Sequence, residues 1–169
     1  MIARTILTAV AACIVAAITT TALAASIAKA PKTMVLQKSD FPAGARRTAN
    51  YGEATGHLVT YRYKTGSKEN ELSSYVILLP SRKLADLAFK EARTDVTKWI
   101  WKVSLPKYGD EQFASFHPLE DGQLIVRKGN TVWGLMLLGV VGDRTLTKAD
   151  ATAEFKRYGP KAMKRAGSG

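Results

Sequence analysis

The chain has a single cysteine, Cys13, and two histidines, His57 and His117, in 169 residues. One cysteine closes no intrachain disulfide, so the fold rests on packing, and sites assembled from several thiolates are excluded. The histidines are far apart in sequence with no H-x-x-E-H spacing around either, and no metal site is expected. A Walker phosphate loop, a G-x-G-x-x-G ahead of a helix and a G-x-S-x-G elbow are also missing. No catalytic residue and no cofactor are assigned, and the expectation is a protein that is not an enzyme.

Charge is nearly absent from the first 28 residues, where Arg4 is the only charged side chain. A short basic start, a charge-free run over residues 5–28 and the small residues of Ala22-Leu23-Ala24 are the parts of a secretory signal, predicting cleavage after Ala24 and a secreted or periplasmic protein. Cleavage after Ala30 is disfavoured by Pro31 at the scissile bond. Three other readings stand beside it. The run is long enough for an uncleaved membrane anchor, although Ala and Thr outnumber Leu and Ile. Val10-Ala11-Ala12-Cys13 resembles a lipobox, which would make Cys13 the lipid-bearing residue of a lipoprotein. The run also fits a buried Ala-rich helix. A membrane partner is expected only if this segment stays attached.

Acidic residues are scarce throughout, 14 against 25 Lys plus Arg, for a net charge of +11. Outside the cytoplasm such a field favours anionic wall polymers or lipid headgroups, and no intracellular nucleic acid is expected as partner. The densest basic patch is Lys156, Arg157, Lys161, Lys164 and Arg165, a candidate polyanion surface on the last helix.

Removing residues 1–24 leaves about 145, enough for one domain with its own core. Residues 25–33 read as a flexible lead-in and 34–166 as a single α+β domain. Met34 to Gln37 suits a short edge strand or one helical turn, Ser39-Asp40-Phe41-Pro42-Ala43-Gly44 is a breaker, and Ala45 to Gly56 is a loop or edge strand. Val59, Tyr61 and Tyr63 alternate with Thr60, Arg62 and Lys64, predicting a strand over His57 to Lys64. A loop over Thr65 to Glu71 leads to a second strand, Ser74 to Leu79. Ser81 caps a helix from Arg82 to about Ile100, with an apolar stripe of Leu84, Leu87, Ala88, Ala92, Val96 and Trp99. Strands follow at Gln112 to His117 and Gln123 to Lys128, then a tight Gly129-Asn130 turn and an apolar strand over Thr131 to Val141, with Lys128 opposite Thr131 and Val126 opposite Trp133. Gly142-Asp143-Arg144-Thr145 ends the sheet. Thr147 and Asp150 form a capping box for the final helix, which Gly159-Pro160 should kink or divide, and Gly167-Ser168-Gly169 is a frayed tail. The sum is an antiparallel sheet of five to six strands with two helices on one face.

Two carboxylate pairs, Asp110-Glu111 and Glu120-Asp121, flank one short strand, and each reads as loop capping. His117 beside Pro118 and His57 at a strand start are expected at the surface. Tyr61, Tyr63, Trp99 and Trp101 read as core. Tyr108, with Arg62 or Arg127 supplying charge, is the candidate wall of a ligand cleft.

Ser39-Asp40-Phe41-Pro42-Ala43-Gly44, Tyr108-Gly109-Asp110-Glu111 and Val126-Arg127-Lys128-Gly129-Asn130-Thr131-Val132 together resemble stretches of small bacterial secreted proteins and lipoproteins similar to the extracellular sensor domain of mycobacterial receptor kinases. The resemblance spans about Met34 to Ala166 and implies an antiparallel sheet with flanking helices and a ligand cleft. That sensor domain is stapled by disulfides, and the expected mature chain, cut after Ala24, would have no cysteine to form them. The function expected is binding of a small ligand or envelope component in a cleft; the rival is a basic envelope protein that grips an anionic polymer or membrane through its C-terminal helix.

Overall fold

The computed structural model describes residues 30–117, 120–138, 140–141 and 144–167. The signal, anchor and Cys13 readings, the cut after Ala24, the turn residues Pro118, Leu119, Gly142 and Asp143, and the tail residues Ser168 and Gly169 lie outside them.

Six strands form one antiparallel sheet: β1 (Arg46–Glu53), β2 (Gly56–Thr65), β3 (Lys68–Leu78), β4 (Glu111–Phe116), β5 (Asp121–Lys128) and β6 (Thr131–Leu138), in the order β1-β2-β3-β6-β5-β4. A second, two-stranded sheet pairs β7 (Val140–Val141) with β8 (Arg144–Thr145). The sequence predicts one strand running on to Val141 and a turn at Arg144 and Thr145, but the described part of that strand, β6, stops at Leu138, because Arg144 and Thr145 turn back to pair with Val141 and Val140. The helices are a single turn α1 (Pro31–Met34), α2 (Arg82–Asp95) and α3 (Lys148–Ala166). This is the expected α+β class. No helix among the described residues is long and apolar enough to cross a membrane.

Local chemistry sets the turns. Lys128 pairs with Thr131 and Val126 with Trp133 across Gly129, whose φ of 58° a side chain would oppose. The expected loop over Thr65 to Glu71 is instead a tight hairpin, because Gly66 at φ 61° turns the chain and Lys68 pairs at once with Thr65. Helical structure begins at Pro31, which is buried with Met34, within the stretch through residue 33 that the sequence suggested as a flexible lead-in. The uncertain segment before Gly56 is an edge strand.

The two long helices lie on opposite faces of the sheet, where the sequence suggested a shared face. In β5, Leu124 and Val126 join one apolar cluster with Phe155, Tyr158 and Ala162 of α3, while Ile125 between them joins the other with Ala85, Phe89 and Ala92 of α2. Adjacent strand residues point to opposite faces. A strand as apolar as β6 satisfies both.

The inward stripe of α2 also differs. Ala85, Phe89 and Ala92 are buried, with Phe89 edge-on to Phe113 at 5.3 Å, whereas Leu84 and Leu87 are 40% and 54% exposed. Both stripes have helical spacing; the ion pair of Asp86 with Arg127 on β5, at 2.7 Å, selects the rotation. The helix stops at Asp95 rather than Ile100, since Ile100 bridges to Ser115 at the edge of β4. α3 runs unbroken through Gly159-Pro160 under the predicted Thr147/Asp150 capping box.

Candidate ligand-binding face

Register arranges the side chains on the α2 side of the sheet in rows crossing the strands. One row is Tyr51, Leu58, Tyr75, Gly134, Ile125 and Phe113. The next is Ala49, Thr60, Ser73, Met136, Gln123 and Ser115, and beyond it Arg62 pairs with Glu71 and Leu138 with Asp121. α2 covers the Ile125 and Phe113 end, but the second row belongs to neither apolar cluster. Met136, Gln123, Leu138 and Tyr75 are half-buried.

Asp121 is the electrostatic centre of this uncovered part. It is buried at the start of β5, and its carboxylate accepts from Gln123 Nε2 at 3.1 and 3.3 Å. Burial raises its pKa above the usual carboxylate range, with the charge of Glu120 adding and the Gln123 bond and His117 opposing. The outer end of the Tyr75 ring occupies the space over Gly134, where a Cβ would fall 2.5 Å from Cζ and from the hydroxyl oxygen, and the ring packs against the apolar cluster under α2. Burial, then the charge of Asp121, raises the tyrosine pKa, so the hydroxyl stays a donor. His117 ends β4, donates its backbone N–H to the Asp121 carbonyl at 2.9 Å, and stacks edge-on against Trp99 at 3.9 Å. Its Nδ1 is 3.4 Å from Glu120 Oε2, an ion pair when the ring is protonated. A single donor residue among those described leaves the Asp121 carboxylate with acceptor capacity to spare, beside the amide of Gln123 and close enough to Tyr75 for its charge to act on the hydroxyl. Such a face suits a ligand that donates hydrogen bonds and has an apolar side to stack.

The three residues expected to line a cleft are not brought together. Arg62 is exposed and donates from Nε and Nη2 to Glu71 Oε2 at 2.9 and 2.7 Å. Tyr108 is buried on the opposite face, against Gly159, with its hydroxyl donating to the Phe155 carbonyl at 3.3 Å. Arg127 is on the same face as Arg62 but near the opposite end of the strands: its partner is Val132, whereas Arg62 lies level with the region of Leu138, about 20 Å along β6. Its side chain, 3% exposed, is enclosed by Asp86 at 2.7 Å, Asp110 at 3.0 Å and Glu111 at 3.6 Å. Asp110 Oδ2 also accepts from the Gly129 N–H at 2.9 Å, and that bond first, then Arg127, lowers its pKa. This knot ties α2 and the Gly109 turn to the β5–β6 hairpin.

The basic patch on α3 is partly spent inside the molecule. Lys161 donates to the Asp40 carbonyl, Arg165 Nε to Asp40 Oδ2 at 2.5 Å, and Arg157 to Thr65 Oγ1 at 2.9 Å, while Lys156 and Lys164 are exposed. Beneath them the Tyr63 hydroxyl donates to the buried Glu154 carboxylate, which strongly raises the Tyr63 pKa through burial and the adjacent charge. Tyr158 is pushed up to about 12 by the same two causes.

The two carboxylate pairs separate to opposite ends of the β4–β5 hairpin, since Glu111 pairs with Arg127 and Phe116 with Gly122. Sequence reasoning assigned Asp121 to loop capping and left Tyr75 and Gln123 without a role. The signal was the period of β5: Asp121, Gln123, Ile125 and Arg127 alternate with Gly122, Leu124 and Val126, which marks one face as half-polar.

Comparison with known protein families, with curated proteins and with solved structures finds no match for the chain. The stretches that carry the resemblance to sensor domains have scaffold duties here: Asp40 holds Arg165, Asp110 holds Arg127 and the Gly129 N–H, and Asn130 donates to the Leu79 carbonyl at 3.0 Å.

Proposed function

We propose that this is an exported, non-enzymatic binding domain that holds a saccharide component of the cell envelope on the face around Asp121, Gln123 and Tyr75. One observation carries the reading: a buried carboxylate with an elevated pKa faces a part of the sheet that no described helix packs over. Sugar hydroxyls supply the donors Asp121 lacks, and Tyr75 and Trp99 offer rings for their apolar sides. Export is supported by Arg4, the uncharged run behind it and Ala22-Leu23-Ala24. The rival surface on α3 is less favoured, because Arg157, Lys161 and Arg165 already serve internal partners.

Calorimetry with short N-acetylglucosamine oligomers tests the site. Binding that persists in high salt and disappears in Asp121→Asn and Gln123→Ala is expected. Absence of binding, or undiminished binding by both variants, refutes the site. Mass spectrometry of the mature protein should give a terminus at Ala25; a mass beginning at Met1 refutes cleavage.

A further inference from the structure

We propose that the open edge of the sheet is a self-complementary interface, through which two copies of this chain pair their β1 strands antiparallel about Tyr51. The two edges of the sheet differ. β4 carries a bridge from Ile100 to Ser115 and a bond from the Trp101 N–H to the Ala114 carbonyl at 3.2 Å. Along the outer side of β1 there is no backbone partner among the described residues. Such a row of N–H and C=O groups is a template for another strand.

The bonds of β2 identify which groups face outward. Thr55 gives its carbonyl to the Leu78 N–H at 2.7 Å, on the β3 side, and the Thr60 carbonyl accepts from Thr48 Oγ1 at 3.4 Å, on the β1 side. Bonding direction alternates along a strand. Ala49, Tyr51 and Glu53, the partners of Thr60, Leu58 and Gly56, therefore bond inward to β2, and Asn50 and Gly52 present their backbone groups outward. The register that uses both sets Asn50 of one copy against Gly52 of the other, with the two Tyr51 residues opposite each other on the two-fold axis.

Side chains select a second copy as the occupant. Tyr51 is 70% exposed, the most exposed large apolar side chain among the described residues, and in this register it packs on its own counterpart. Glu53 falls opposite Ala49 of the other copy and diagonal to Arg46, which lies on the same face of the sheet. Arg46 and Glu53 are both exposed and have no ion-pair partner among the described residues, and Arg62 beside Arg46 is held by Glu71. An antiparallel copy supplies the missing partner at both ends of the ladder. The other cations of this edge, Lys32 and Arg47, belong to the opposite face, that of α3, and at physiological salt charges more than about 8 Å apart are largely screened.

The Thr48 bulge and the reversal after Glu53 bound the ladder, and pairing consumes the open edge of each copy, so the assembly closes as a dimer. The two-fold axis runs perpendicular to the sheet. Both Asp121 faces then look the same way, and a repeating envelope polymer is met at two points; that consequence rests on the saccharide reading, whereas the pairing does not.

Sedimentation velocity of the purified full chain from about 1 μM to about 1 mM tests the proposal. A reversible monomer–dimer equilibrium is expected, in the transient class because the ladder is short. Tyr51→Ala should weaken it about tenfold, and Glu53→Arg should weaken it at least as much, without loss of the folded circular dichroism spectrum, since both positions are exposed. Arg46→Glu combined with Glu53→Arg should return the affinity to within about threefold of the parent. Opposed Tyr51 Cα atoms would lie about 4.5 Å apart, so Tyr51→Cys in a Cys13→Ser background should give a disulfide-linked dimer on oxidation, and Arg46→Cys in that background should give none. Asp121→Asn should dimerise like the parent, whatever its saccharide affinity. A monomer at every concentration, a dimer indifferent to both Tyr51→Ala and Glu53→Arg, or a Tyr51→Cys protein that does not crosslink would each overturn the inference.

Discussion

Replacing Gly159 by alanine should destabilise the domain, although the same change in an ordinary helix interior is a gain. Alanine is favoured over glycine there by about 1 kcal/mol. At Gly159 the added Cβ would fall 2.6 Å from Tyr108 Cζ and 2.8 Å from both Cε2 and the hydroxyl oxygen. Tyr108 has little room to retreat: it is 2% exposed, is anchored by its hydroxyl to the Phe155 carbonyl, and has the Trp133 ring 6.3 Å away. Overpacking of this kind costs about 3 kcal/mol at the upper end of its usual range. A Cβ immediately before Pro160 also crowds the proline ring when the backbone is helical. The net expectation is a loss of about 2 kcal/mol, or roughly 4–8 °C in Tm for a domain of this size. Urea unfolding of Gly159→Ala reads the free energy, and Tyr108→Leu in the Gly159→Ala background should recover part of it as a coupling term. A Gly159→Ala protein as stable as the parent, or more so, would refute the packing argument.

Arg127→Met should cost about 2 kcal/mol, less than a fully buried pair, because Asp86, Asp110 and Glu111 are partly exposed and regain water. Asp110 has a depressed pKa in the folded protein, so its contribution is present above the ordinary carboxylate range and is lost as pH falls through the folded value; Arg127→Met should make that acid limb shallower in a pH series of urea midpoints without removing it, because the Gly129 N–H bond remains. Asp121→Asn has the opposite sign. Its raised folded pKa penalises the protein at neutral pH, so the variant should unfold at higher urea than the parent at pH 7, with the difference vanishing below about pH 4. Equal midpoints at pH 7 would remove Asp121 as a stored cost at the binding face. Tyr63→Phe withdraws the donor from the buried Glu154 and should cost about 1–3 kcal/mol, measured in the same titrations.

Short-range chemistry was legible from the residues. The alternation of Val59, Tyr61 and Tyr63, the Gly129-Asn130 hairpin with its register, and the Thr147/Asp150 cap depend on neighbours in sequence, and they stand as expected. What depended on long-range partners was not legible. Of the expected stripe Ala88, Ala92 and Val96 do pack inward, but Leu84 and Leu87 give way to Ala85 and Phe89, a choice of rotation that depends on the sheet, where Arg127 on β5 reaches Asp86. The side of the sheet each helix takes was not readable, because β6 is apolar on both faces, which fits one covering layer or two. Gly159-Pro160 signalled a break in isolation, yet the missing side chain at Gly159 makes room for Tyr108 and the helix continues. The candidate face was missed for a related reason: Asp121, Gln123 and Tyr75 come from β5 and β3, which β6 separates, and no single stretch contains them.

The contacts of Asp40 with Lys161 and Arg165 bind positions up to 125 residues apart in sequence. They also set the order in which the molecule can be finished. The entrance segment, with Val35, Leu36 and Phe41 in the main core, is locked by the last turns of α3, so a chain emerging from its N-terminus has no complete core until its final residues arrive. A chain threaded through a narrow channel would therefore stay pliable for the whole passage and close only on the far side, with the C-terminal helix acting as the bolt.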